Sequence, residues 1–137
     1  MTFRYLLFAL LFLLLLSGCP GGMPGLFPQP SRNEGVLALI DQANLEASQG
    51  RLPEAGESLE RALRIEPRNP VLWQKLAQVR LEQKEYRQAE NLAAKSNALA
   101  GPDRRLKNQN WRIIGQARQD SGDEAGAQEA FSRMNSE

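Results

Sequence analysis

The sequence predicts an all-α chain of repeated helix hairpins, on three observations. The first is self-similarity. The set Trp73, Leu76, Ala77, Tyr86, Ala89 and Ala93 answers, 34 residues earlier, to Leu39, Gln42, Ala43, Leu52, Ala55 and Leu59. It answers again, 38 residues later, to Trp111, Ile114, Gly115, Glu124, Ala127 and Phe131. A fixed period of this size is the mark of a stacked repeat, in which each unit buries its apolar face on the next. The second is the small residues at matched places: Ala43, Ala77 and Gly115 in one helix of each pair, Ala55, Ala89 and Ala127 in the other. Two helices approach closely only where such residues face each other. The third is punctuation. Gly50 and Gly122 stand where an inter-helix turn needs a positive φ. Pro67 and Pro70 stop one helix and start the next.

These signals place six helices, at about 36–48, 52–65, 70–83, 86–99, 107–121 and 124–135. Large residues such as Trp73 and Leu76 are expected to fill the space between helices. The Trp73→Ala and Trp111→Ala changes are then expected to cost roughly 3–5 kcal/mol each. The third unit is offset by four extra residues, inserted between Ala100 and Lys107. The basic cluster Arg104, Arg105, Lys107 and Arg112 falls beside this insertion. It reads as a solvated loop between repeats, or more sharply as a contact for an acidic surface or anionic polymer. No polar helix follows the last unit, so the face holding Ala127, Ala130, Phe131 and Met134 is expected to be partly exposed and able to bind a partner.

Ahead of the repeats lies a different kind of sequence. Arg4 precedes an unbroken apolar run of twelve residues, Tyr5 to Leu16, which is too short to span a bilayer as a helix. Ser17 and Gly18 follow, then Cys19, the one cysteine of the chain. A charged start, a short apolar stretch and small residues make an export signal. A lone free thiol in an exported protein needs a reason. Pro20 to Gly35 holds four prolines and four glycines. Such a segment buries no core and is expected to be an extended tether reaching roughly 50 Å at most.

Composition narrows the chemistry. There is no histidine. With no imidazole and a single thiol, the chain lacks the ligand sets that zinc, haem and iron–sulfur centres draw on, which argues against them, and Ser-His or Cys-His catalysis is impossible. Asp123-Glu124 reads as a helix start, where acidic residues suit the dipole, rather than as a catalytic carboxylate pair. The sequence points to no enzyme, no cofactor and no metal. Removing the first 18 of 137 residues leaves 119, with 16 basic and 16 acidic side chains. That balance argues against nucleic acid as a partner.

Two resemblances carry the reading further. Leu16-Ser17-Gly18-Cys19 resembles the lipobox of bacterial lipoproteins, which implies cleavage before Cys19 and acylation of that residue. Pro20, rather than aspartate, follows the cysteine; by the enterobacterial sorting pattern this implies the outer membrane, with the domain facing the periplasm. The repeat resembles the tetratricopeptide pattern of Trp-x2-Leu-Gly-x2-Tyr followed by an alanine, an aromatic and a proline. Gln42 departs from it where leucine is usual, Glu124 where an aromatic is usual, and Arg80 and Arg118 where tyrosine is usual. The implied organisation is a signal at 1–18, a lipidated tether at 19–35 and a three-repeat solenoid at 36–135, with repeats at about 36–69, 70–103 and 108–137.

The tetratricopeptide resemblance implies that the first helix of each repeat lines a concave, peptide-binding groove. The matching positions hold Ile40 and Asp41, Gln74 and Lys75, Arg112 and Ile113; five residues after each tryptophan site stand Asn44, Gln78 and Gln116. A ladder of three carboxamides, each donor and acceptor, suits the backbone of an extended peptide. A terminal-carboxylate clamp is less well matched, since Ile40 stands where a lysine is expected. The whole plan resembles lipoproteins of the LpoP type, which activate a class A penicillin-binding protein, a peptidoglycan synthase. Pilotin-like lipoproteins, protease adaptors and structural peptidoglycan-binding lipoproteins share parts of the plan. Cys19→Ser is expected to abolish lipid attachment, read by labelled palmitate; label retained on the variant contradicts the lipobox.

Overall fold

The computed structural model describes residues 30–134. The signal, Cys19 and tether residues 20–29 lie outside the described residues. Six helices follow one another: α1 Glu34–Ser48, α2 Leu52–Ile65, α3 Pro70–Glu82, α4 Tyr86–Leu99, α5 Arg104–Asp120 and α6 Glu124–Arg133. Each packs on its neighbours in sequence, and α3 also touches α5. Short connections make consecutive helices antiparallel. The turns within hairpins therefore fall on one edge of the array, and the α2–α3 and α4–α5 connections on the other.

Local chemistry explains the boundaries. The side chains of Asn33, Asn69, Asp103 and Asp123 cap α1, α3, α5 and α6, accepting from backbone N–H groups of the first turn. Asp123 thus has the capping role its sequence context suggests. The three hairpins close the same way. Gly50, Lys84 and Gly122 have φ of 74°, 63° and 91°. The next residue's N–H returns to the helix, from Arg51 to Glu46 O, Glu85 to Arg80 O and Asp123 to Arg118 O, each at 2.9 Å. This is the Schellman closure, with a left-handed residue just past the helix. Lys84 adopts the conformation without being glycine.

The core is continuous along the stack. Val36, Ile40, Leu59, Leu63, Leu72 and Leu76 are buried together between the first hairpin and α3. Ala77, on the other side of α3, joins Ala89, Ala93, Ile113, Ile114 and Ala130. Gly115 is buried under the Phe131 ring, and a Cβ there would overlap it. Both tryptophans are half-buried at the rim rather than inside. Trp73 donates from Nε1 to Pro67 O at 2.9 Å. Trp111 lies under the Arg133 guanidinium, 4.9 Å from the ring centroid. The cost of truncating either is set below about 3 kcal/mol, because part of each ring stays in water in the native state.

One register position ties the repeats together, and the periodicity pointed to it only as a departure. Glu46, Arg80 and Arg118 are equivalent. Arg80 reaches back to Glu60 of α2 at 2.7 Å. Arg118 reaches back to Glu90 of α4, with Nε at 2.8 Å. Among the described residues no repeat precedes Glu46; it is buried, accepting from Ser58 Oγ at 2.8 Å and Gln42 Nε2 at 2.9 Å. Those hydrogen bonds, Ser58 first, hold its carboxyl below the usual range against the opposing effect of burial. A second polar relay crosses three helices: Asn110 Nδ2 donates to Ser96 Oγ at 2.8 Å, and Ser96 Oγ to Pro70 O at 2.8 Å.

Two further expectations are corrected. The four-residue insertion is helix, not loop: α5 has 17 residues where α3 has 13. Asp103 caps it, and arginine and lysine are good helix formers, so Arg104, Arg105 and Lys107 lie in its first turn. The end of the tether is also ordered. Ser31 is buried and donates to Glu66 Oε1 at 2.6 Å, while Pro30 O accepts from Asn69 Nδ2 at 2.6 Å. This clasp binds residues 30–33 to the α2–α3 corner, and α1 starts at Glu34.

Gly115→Ala is expected to cost about 1–3 kcal/mol through overpacking against Phe131. Phe131→Leu in the same chain is expected to recover part of it. An unchanged denaturation midpoint in Gly115→Ala contradicts the close approach.

Candidate functional site: a cleft between α1 and α3

The first helices of repeats one and two diverge enough to leave a cleft of about 250 Å³. Asn44 lines one wall, from α1; Gln74, Lys75 and Gln78 line the other, from α3; Leu59 of α2 forms the floor. Four of the sequence-predicted groove residues therefore meet. Asp41 is exposed on α1 and close enough to act electrostatically on Lys75. Ile40 and Ile113 are buried in the core instead. Gln116 sits one repeat further on, and Arg112 turns to a separate pocket of about 410 Å³ with Arg105, Asn108, Gln109 and Met134. Phe131 is half-buried against Gly115, and Met134 is half-buried at that second pocket.

The amides already have partners. Lys75 Nζ donates to Asn44 Oδ1 at 3.3 Å across the cleft. Gln78 Nε2 donates to Glu82 Oε1 at 3.1 Å, and Gln116 Nε2 to Asp120 Oδ1 at 2.8 Å. Each glutamine thus has its donor turned to a carboxylate one helical turn on. A bound peptide meets the carbonyl side of these amides, or displaces the carboxylates. Lys75 is the site's most distinctive group. Burial lowers its pKa below the ordinary lysine value, and the negative charge of Asp41 opposes that. No carboxylate of the described residues lies within ion-pairing distance of it. The arrangement suits recognition of a polar, extended segment; among the described residues no group of three acidic, cysteine or histidine side chains could hold a metal.

Sequence reasoning missed Leu59, Val79 and Glu82 as cleft residues. Leu59 and Val79 read as core, which they also are. Glu82 carries a signal in its i,i+4 spacing from Gln78.

A lysine whose folded pKa is lowered destabilises the fold while it is charged, because the unfolded chain binds its proton more tightly. That penalty fades as pH rises through the window that ends at the unfolded value of 10.5. Lys75→Met is therefore expected to be more stable than wild type at neutral pH, by under about 1 kcal/mol. The difference is expected to shrink toward pH 10.5 in denaturant titrations; a difference independent of pH contradicts the desolvation.

Comparison with known proteins agrees with this architecture. A family model described as tetratricopeptide repeat matches residues 46–108. The chain is similar to a solved structure of the globular C-terminal domain of P. aeruginosa LpoP, at 39% identity and a TM-score of 0.74. That match covers 76% of this chain and 98% of the other. It is also similar to the N-terminal domain of stress-induced protein-1 from C. elegans, at 22% identity and a TM-score of 0.69, over 76% of this chain and 87% of that one. The second likeness shows the fold alone. No curated protein sequence matches. The six helices, the repeated closure of each hairpin and the match over nearly the whole LpoP domain place the chain in the tetratricopeptide-repeat family.

Proposed function

We propose that this chain is a lipid-anchored, non-enzymatic interaction module of the periplasm, which activates a class A penicillin-binding protein from the outer membrane. The observation that carries the reading is the 39% identity to the LpoP domain across 98% of its length. The sequence around Cys19 supports the anchor, since it has the small residues and lone cysteine that lipidation requires. The cleft supports the mode of action. It is lined by polar groups on two rigid helices, so a partner segment bound there meets a preformed surface and loses little affinity to reordering of the domain.

In this reading Asn44, Gln74, Lys75 and Gln78 contact the synthase, with Asp41 tuning Lys75. Arg112 and Gln116 then act only if the partner extends beyond the cleft toward α5. The alternative site is the last helix, through Phe131 and Met134, and the half-buried position of both is what favours keeping it in view. A pilotin-like or protease-adaptor role uses the same cleft with a different partner.

The test is titration of the purified synthase against the domain, together with its rate of glycan-chain synthesis. Gln74→Ala with Gln78→Ala removes two hydrogen-bonding groups, each contributing about 0.5–1.5 kcal/mol, so affinity is expected to fall roughly 5- to 150-fold at nearly unchanged melting temperature. Full affinity in that variant, with loss in Phe131→Asp, moves the interface to the C-terminal helix. No binding and no change in synthesis rate by the wild-type domain rejects the synthase as partner.

A further inference from the structure

The edge of the array where the tether enters is basic. Arg32 and Arg68 are exposed beside the α2–α3 corner, to which the clasp holds Pro30 and Ser31. Arg104 and Arg105 are exposed at the neighbouring α4–α5 connection. Of the acidic groups there, Glu66 accepts from Ser31 and Asn69 and Asp103 caps α5, which leaves the exposed Glu34 at the start of α1 against four exposed arginines. The opposite edge is mixed, with Glu82, Asp120, Asp123 and Glu124 beside Arg51, Lys84 and Arg87.

The α5 cations are placed against local stability. Its first turn contains no acidic residue, and two arginines face the positive end of the helix dipole. Arg105, Asn108, Gln109 and Arg112 form one stripe of α5 and, with Met134, line the pocket of about 410 Å³. Neither Arg105 nor Arg112 is paired with a carboxylate among the described residues. Two guanidinium groups one stripe apart, two amides between them and an apolar side chain at the margin suit a phosphodiester with hydrocarbon beside it.

We propose that this edge docks on a membrane surface, with Arg105 and Arg112 binding anionic phospholipid head groups. The inference rests on the reading that Cys19 carries lipid. With the chain clasped at Pro30, only residues 20–29 separate the domain from that lipid, a reach of roughly 30 Å. The tether thus leaves from the same edge as the cations and holds that edge within reach of the head groups. Arg112 stands about 10 Å further along α5 than Arg105, so the docked array leans on the α4–α5 connection and the exposed stripe of α5, with the hairpin-turn edge away from the membrane.

The test uses the lipidated chain purified from membranes, its acylation checked by mass, in vesicles of phosphatidylcholine alone or mixed with phosphatidylglycerol. A dye is placed on the tether edge through Ala98→Cys, or on the opposite edge through Gln119→Cys, and energy transfer to a head-group acceptor is read. Transfer from the Ala98 position is expected to be higher on the anionic vesicles, transfer from Gln119 is not, and added salt abolishes the difference. Arg105→Gln with Arg112→Gln is expected to lower the docked-to-undocked ratio roughly 30-fold, about tenfold per 1.4 kcal/mol with each cation contributing about 1 kcal/mol, at unchanged helical circular dichroism. Equal transfer on both vesicle types, or a difference that survives in the double variant, overturns the proposal. So does retention on isolated cell-wall polymer with no vesicle preference, which reassigns the edge to that polymer. A chain without acyl mass on Cys19 refutes the anchor instead. The edge is then judged by co-flotation of that chain with the anionic vesicles: flotation lost in the double variant supports it, and no flotation overturns it.

Discussion

Close approach of paired helices is the constraint on which the rest of this molecule depends. Ala43, Ala55, Ala77, Ala89 and Ala127 are all at most 3% exposed, and Gly115 is buried with them. With side chains this small at the crossings, backbones come near enough for larger residues on either side to interlock. Leu59, Leu72 and Ile114 are then almost fully buried although no helix is long. Dispersion and desolvation act along the stack, because the second helices α2 and α4 are each covered by the first helix of the next repeat. Phe131 shows the constraint at its tightest, since a Cβ on residue 115 would overlap its ring.

Charge adds order to that packing. Arg80 and Arg118 each cross to a carboxylate on the preceding hairpin, and such partly exposed pairs contribute little energy singly. Their effect is on register: a planar guanidinium reaches its carboxylate in few arrangements of two hairpins. At the first repeat the same position holds Glu46, satisfied within its own hairpin by Ser58 and Gln42. The array therefore has a self-contained beginning. The Asn110–Ser96–Pro70 relay does the same work where the repeat length changes from 34 to 38.

The cleft follows from the same geometry. Between α3 and α5 the first helices touch, and Ile113 closes that seam. Between α1 and α3 the equivalent of Ile113 is Lys75, a long polar side chain that bridges to Asn44 instead of filling the gap. One substitution of kind at a repeated position thus separates a packed seam from an open cleft. On the tether edge, α5 begins four residues earlier in the repeat register than α3, and its first turn carries Arg104 and Arg105.

Much of the fold was legible in the sequence. Periodicity, small residues, Gly50, Gly122, Pro67 and Pro70 located the hairpins to within a few residues, because each acts locally and repeats. Asn44, Gln74, Lys75 and Gln78 were legible as one surface for the same reason. Other features needed the tertiary structure. Ile40 and Ile113 share a repeat register with groove positions, but whether that register faces a cleft or a core depends on how far neighbouring repeats diverge. The ion pairs of Arg80 and Arg118 join residues 20 and 28 apart, and the clasp joins Ser31 to Glu66, 35 apart. A pattern of single residues has no means of naming such partners. Lys84 took a left-handed turn conformation that glycine spacing alone did not signal, because closure of the hairpin outweighs one residue's preference. The chain by itself determined where helices begin, turn and stack; distance between helices decided which of the repeated positions became core, bridge or site.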